Sequence, residues 1–255
     1  MSFATWYESA WQHPGLAWLG CVPILFWAAA RARPHAARAG QDSPAPISSR
    51  RWIVLATLQV LIVLDALCTG VLSPISAPSA LATASSVAFV ILGDARFFFL
   101  LADPRLSRRG LWSRLLGAVA ASTAVSAAAY AAHQALPALL PTRRHLFLTY
   151  EILMYLITWI LLAATRPVGR AAVATCRRRL LRFVSLQYGL WVLADVVILS
   201  AQPWSDLGFA LRTVPNALYY VAFVPFAVRF ATISTVEDAA AGSPPQTFPL
   251  AQGWR

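Results

Sequence analysis

The sequence predicts an all-α, polytopic membrane protein with seven transmembrane helices. Three observations lead there. Of 255 residues, 58% are hydrophobic and only 12% are charged, about half the charged fraction of an average soluble domain. The mean hydropathy is +0.60, too apolar for a water-soluble globule. Seven segments also reach the roughly 20 apolar residues that a helix needs to cross a bilayer.

The segments run over residues 14–31, 52–73, 79–101, 114–136, 146–165, 183–202 and 208–231. The first has no basic region before it and no clear small-residue cleavage site, so it reads as a retained helix rather than a signal peptide. The fourth carries no charge between Arg114 and Arg143 and is rich in Ala and Ser. Residues 1–236 form the predicted transmembrane domain. Residues 237–255 form a predicted flexible cytoplasmic tail, because Ala, Gly, Ser, Pro and Gln there show no hydrophobic periodicity. Residues 32–50, with Pro34, Pro44 and Pro46, read as a loop for the same reason.

Arginine distribution predicts direction. All 21 basic residues are Arg, set against 10 acidic residues, for a net charge of +11. Fifteen loop arginines fall after spans one, three and five; the opposite side holds mainly Arg143 and Arg144. The positive-inside rule then places the N-terminus outside and the C-terminus in the cytoplasm. The expected location is a bacterial-type plasma membrane, with the lipid bilayer as partner. Nucleic acid is not an expected partner, because no basic domain lies outside the spans.

The two halves resemble each other. Leu58-Gln59 and Asp65 in span two correspond to Leu186-Gln187 and Asp195 in span six. Trp27 to Arg33-Pro34 corresponds to Trp159 to Arg166-Pro167, and Arg96-Phe97 corresponds to Arg229-Phe230; all offsets lie between 128 and 133 residues. The candidate architecture is a 3+1+3 parallel repeat, with units 14–105 and 146–233 joined by linker helix 114–136. Shared apolar composition is the competing explanation. Helix count and direction resemble the seven-helix sugar-efflux and Pro-Gln-loop transporters. Their paired proline signature is missing: span one has Pro23, but spans two, five and six have no internal proline. The chain is not assigned to that family.

Four of the ten acidic residues fall inside spans: Asp65, Asp94, Glu151 and Asp195. A carboxylate at a helix centre costs roughly 2.5–3.5 kcal/mol on insertion scales. Such groups face a bundle interior or a watery cavity, either for function or for helix-packing hydrogen bonds. Their neighbours recur at helical spacing. Gln187, Trp191 and Asp195 stand four apart, with Tyr188 beside them. Glu151, Tyr155, Thr158 and Trp159 share a face, as do Arg212, Asn216, Tyr219, Tyr220 and Phe223. Glu151 lies seven residues past Arg144, or ~10 Å at the helical rise. Asp195 lies eight before Pro203, or ~12 Å. One cavity in the outer half of spans five to seven could therefore collect them, with Arg212 paired to Glu151 or Asp195. The candidate ligand-binding residues are Glu151, Tyr155, Gln187, Trp191, Asp195, Arg212, Asn216 and Tyr220. The candidate proton-coupling residues are Asp65 and Asp195, because a buried carboxylate holds a proton more readily than one in water. Arg96, near the inner end of span three, is expected to snorkel to the surface.

Enzymatic readings are weaker. His13, His35, His133 and His145 lack metal-ligand spacing; Cys21, Cys68 and Cys176 form no framework. Cys21 and Cys68 read as core thiols inside spans, and Cys176 as a loop cysteine. No Gly-x-Ser-x-Gly elbow occurs. The absence of Lys excludes covalent retinal. An aspartyl intramembrane enzyme built on Asp65 and Asp195 is the remaining catalytic option. The leading expectation is a non-enzymatic small-molecule transporter, in its fullest form proton-coupled, without a cofactor or metal. The alternatives are a seven-helix ligand-binding sensor or receptor, and an accessory subunit that packs against a partner through span four.

Overall fold

The computed structural model describes residues 3–7, 12–32, 57, 59–64, 80–102, 110–165, 171–200 and 204–227. They form α1 (Phe3–Tyr7), α2 (Gln12–Ala32), α3 (Ala80–Ala102), α4 (Leu111–Ala135), α5 (Arg143–Ala164), α6 (Ala171–Leu199) and α7 (Ser205–Ala217). Residues 57 and 59–64 are also helical. α7 continues through a π-helical turn, Leu218–Ala222, into helical residues 223–227. The described residues contain no strand. Among the described residues, four helices are long and apolar enough to cross a membrane: Trp112–Ala135, Arg143–Ala164, Ala174–Leu199 and Ser205–Ala227. A shorter apolar helix covers Gly15–Ile24. The chain is thus a multi-pass, helical membrane protein.

Burial follows the logic of a lipid solvent. Trp18, Phe26, Trp112, Leu116, Trp159 and Ile160 are exposed, whereas Gln59, Asp94, Arg96, Glu151, Gln187, Asp195 and Asn216 are buried. Water would favour the reverse for many of these groups. In lipid, apolar side chains face outward at no cost, and polar groups are driven against one another.

Consecutive helices α3 to α7 are neighbours, and α6 also touches α3. α6 is therefore the central element. Ser185 donates a 2.8 Å hydrogen bond to Thr158 of α5, with both side chains buried. Arg177 reaches back to α3, donating from Nε to the Leu101 carbonyl at 3.0 Å and from Nη2 to the Ala102 carbonyl at 3.3 Å. These carbonyls end a helix and have no intrahelical partner, so a guanidinium is a suitable cap. On α4, Ala118, Ser122, Val125 and Ala129 form a buried stripe of mostly small side chains. Both α3 and α5 pack on this helix.

The π turn that follows α7 has a chemical reason. Pro215 lies inside α7 and Pro225 beyond the π turn. Each lacks an N–H for the helical ladder, and a widened turn redistributes the freed carbonyls. α2 packs on this turn. Gly20 makes the approach possible, because a Cβ there would collide with the Tyr220 carbonyl oxygen.

Three local features differ from the sequence expectation. α6 begins at Ala171 rather than 183, so its 29 residues span ~44 Å, well beyond a hydrocarbon core of about 30 Å. The arginine-rich stretch before span six is thus helix, and Cys176 is a buried helical residue rather than a loop cysteine. α1 forms where no element was expected. Arg96 does not snorkel: it is 1% exposed. Its Nε donates to the Gly93 carbonyl at 2.7 Å, and its guanidinium lies 4.2 Å from the Tyr219 ring centroid and 4.6 Å from that of Phe223. Two aromatic faces stabilise this cation inside the bundle. Asp65, Cys68, Arg229 and the tail 237–255 lie outside the described residues.

Candidate functional site

The polar faces of α5, α6 and α7 meet near the end of the bundle that carries α1. Arg212 of α7 is the centre. Its Nη2 lies 3.1 Å from Glu151 Oε1 of α5, and its Nη1 pairs with Asp195 Oδ1 of α6. Arg144, from the first turn of α5, donates to the same Asp195 oxygen at 3.0 Å. The network therefore holds two carboxylates and two guanidiniums. Asp195 has no exposed side-chain surface, Glu151 is 5% exposed and Arg212 15%, whereas Arg144 retains 28%. Opposite charges at this depth offset part of each other's desolvation cost, but a buried ion network is not by itself a source of stability.

The neighbouring turn of the same two helices makes a second rung. Trp191 stands one turn before Asp195, and Asn216 one turn after Arg212. The Trp191 indole N–H donates to Asn216 Oδ1 at 2.8 Å, giving a half-buried indole the partner it needs. Asn216 Nδ2 in turn donates to the Tyr7 hydroxyl at 2.8 Å. This brings α1 into the site. Tyr7 also packs on Phe209, with ring centroids 5.3 Å apart, and the Ala4 N–H donates to Asp206 Oδ1 at 3.2 Å. Burial pushes the Tyr7 hydroxyl above its ordinary pKa, while Arg212 and the Asn216 bond pull the other way. Tyr7 consequently stays a neutral phenol at physiological pH.

Further along the bundle, aromatic rings connect this network to a second polar cluster. Trp191 contacts Tyr188 at 5.2 Å and Tyr219 at 5.6 Å between centroids. The Tyr188 hydroxyl donates to Asp94 Oδ1 at 2.5 Å, and Tyr219 carries Arg96. Gly93 leaves room for the Tyr219 hydroxyl, which a Cβ there would strike. A polar and aromatic column thus runs from Arg144 to Arg96.

Of the eight ligand-site residues expected from sequence, Glu151, Asp195 and Arg212 meet in ion pairs, and Trp191 and Asn216 meet in a hydrogen bond. Gln187 is buried on α6. Tyr155 packs against Gly189 and Trp159, and Tyr220 against Tyr219 and α2. These two tyrosines flank the network. Tyr7, Arg144 and Phe209 were missed. Arg144 had been assigned to topology alone, although its spacing of seven from Glu151 places both on one helical face.

Three buried acceptor oxygens, Glu151 Oε2, Asp195 Oδ2 and Gln187 Oε1, have no hydrogen-bond partner among the described residues. Nor do these residues contain a group of three His, Cys, Asp or Glu side chains placed to hold a metal ion. No protein-family model matches the chain, and searches of curated proteins and of solved structures give no match.

Proposed function

We propose that the chain is a seven-helix small-molecule transporter of a bacterial-type plasma membrane, coupled to proton movement, with its ligand site in the network around Arg212. The carrying observation is that two buried carboxylates share one guanidinium while each keeps an oxygen that has no donor among the described residues. A network serving only to fix helix packing would be expected to satisfy those oxygens, since each unpaired buried acceptor costs about 1–3 kcal/mol. A site that takes up and releases a proton or ligand needs acceptors of this kind. Asp195 is the proposed proton carrier here, and Asp65 its counterpart in the first half. The burial of both Gln59 and Gln187, the pair 128 residues apart, supports a parallel repeat.

Transport is tested in proteoliposomes carrying a trapped pH-sensitive dye. Pools of amines, amino acids, sugars and nucleosides are added outside under an inward proton gradient. At least one pool should accelerate lumenal acidification, and Asp195→Asn should abolish that response while keeping a monodisperse gel-filtration profile. Equal acidification by wild type and Asp195→Asn, or none with any pool, would overturn the reading.

The proposed orientation puts α1, the 136–142 turn and the start of α7 outside. In a background lacking Cys21, Cys68 and Cys176, a membrane-impermeant maleimide should label Trp204→Cys in intact cells and leave Thr175→Cys unlabelled until lysis. The arginine asymmetry motivates this, and the inverse pattern would reverse the topology.

A further inference from the structure

We infer that the site recognises an organic ammonium ion, a protonated amine on an apolar body, and that Arg144 occupies the ammonium's position until such a ligand displaces it. This deepens the transporter reading and rests on it for the claim that the ligand moves.

The first support is the environment of Arg144 itself. Its guanidinium pairs with Asp195 Oδ1 at 3.0 Å and lies 5.2 Å from the Phe209 ring centroid. A carboxylate beside an aromatic face is the chemistry that receives an organic cation, through charge and through the ring quadrupole. Arg144 is therefore bound as such a ligand would be.

The second support is charge balance. Arg212 bridges both carboxylates, so its departure would leave Glu151 without an ion partner and Asp195 with Arg144 alone. Arg144 touches only Asp195 and is the most exposed member at 28%. It can turn to water at the smallest cost. Its withdrawal leaves the network with one excess negative charge, which a monocation restores to neutrality.

The third support is the polarity of the unpaired atoms. Among the described residues, the unpaired atoms of this network are acceptors, Glu151 Oε2 and Asp195 Oδ2; two turns along the same face of α6, Gln187 Oε1 is a third. A primary ammonium brings three N–H donors. A carboxylate ligand brings further acceptors and would need to take Arg212 or Arg144 from Asp195. The rings of Tyr7, Phe209 and Trp191 provide apolar surface for the ligand's body.

The experiment measures binding to the full chain in detergent by isothermal calorimetry, with benzylamine and benzoate as paired probes. These share a ring and a size but differ in the sign of their charge. Benzylamine should bind and benzoate should not. Arg144→Gln should tighten benzylamine binding on the order of tenfold, roughly what removing one competing charge-assisted hydrogen bond would give. Phe209→Leu should weaken it severalfold, and Asp195→Asn should abolish it. The two ligand signs make opposite predictions for Arg144→Gln, because an anion site would lose affinity when an arginine is removed. Benzoate binding that Arg144→Gln weakens would overturn the inference, as would no benzylamine binding, or affinity unchanged by Arg144→Gln. Transport is read separately. The predicted benzylamine pattern without flux in proteoliposomes would sustain the ammonium site and sink the transporter reading. Flux driven by an anionic solute alone would do the reverse.

Discussion

Replacing Arg212 with Met is expected to destabilise the folded protein by about 3–5 kcal/mol, the range for breaking a buried ion pair from one side. The substitution leaves Glu151 without its ion partner and Asp195 with only the partly exposed Arg144. Two carboxylates then face each other's charge inside the bundle, and one must take up a proton or draw in water. Neutralising Arg212 together with both carboxylates should recover most of this loss, because the remaining Arg144 is partly exposed and can turn to water. The triple variant Arg212→Met, Glu151→Gln, Asp195→Asn removes every charge that Arg212 balances and keeps similar volumes. Its unfolding free energy in mixed micelles should lie within about 1–2 kcal/mol of wild type, a strongly non-additive result. If the triple variant is as unstable as Arg212→Met, the network is a stability element and its carboxylates have no need of a ligand.

The second large effect is expected at Gly208. A Cβ there would stand 2.8 Å from the Ile198 backbone N and 2.9 Å from the Ala194 carbonyl oxygen. Those atoms belong to the α6 backbone and cannot rotate aside, so α7 must move. Gly208→Val should therefore cost about 2–3 kcal/mol or more, at or above the upper end for overpacking. The displacement would also separate Arg212 from Asp195, since Gly208 lies one turn before Arg212 and Ala194 precedes Asp195. A contrasting variant is Gly117→Ala on α4, where a Cβ meets nothing within 4 Å. It should leave stability unchanged or raise it by up to about 1 kcal/mol through helix propensity. Thermal unfolding of both variants separates the two expectations. A Gly208→Val protein as stable as wild type would mean that α6 and α7 are not in such close contact.

Helix periodicity carried much of this arrangement in the sequence itself. A charge in a membrane segment has one inexpensive direction to face, so the spacing of Gln187, Trp191 and Asp195 identified the inward face of α6 before any coordinates. The same reasoning paired Arg212 with a carboxylate. It failed where one residue type serves two purposes. Arg144 and Arg96 sit near span ends, where arginine ordinarily sets topology or snorkels. Only the tertiary placement of Asp195, Phe209, Tyr219 and Phe223 shows what they touch. α1 was illegible for a related reason. Five residues are too short for a periodic signal, and the helix is held by long-range contacts from Ala4 and Tyr7 to α7. The start of α6 was misjudged because hydropathy marks the lipid boundary, while the helix continues past it through Arg177, Arg178, Arg179 and Arg182. Pro215 marks a break in the hydrogen-bond ladder, but does not reveal that a π turn follows it.

The charges around Arg212 serve to be occupied and released, in the function proposed above, rather than to hold the helices together. The most direct measurement is solute-driven proton flux through the neutralised triple variant, reconstituted beside wild type at equal protein density. A folded protein with wild-type-like stability and no solute-driven flux is expected. A triple variant that carries protons and solute as wild type does would contradict that role.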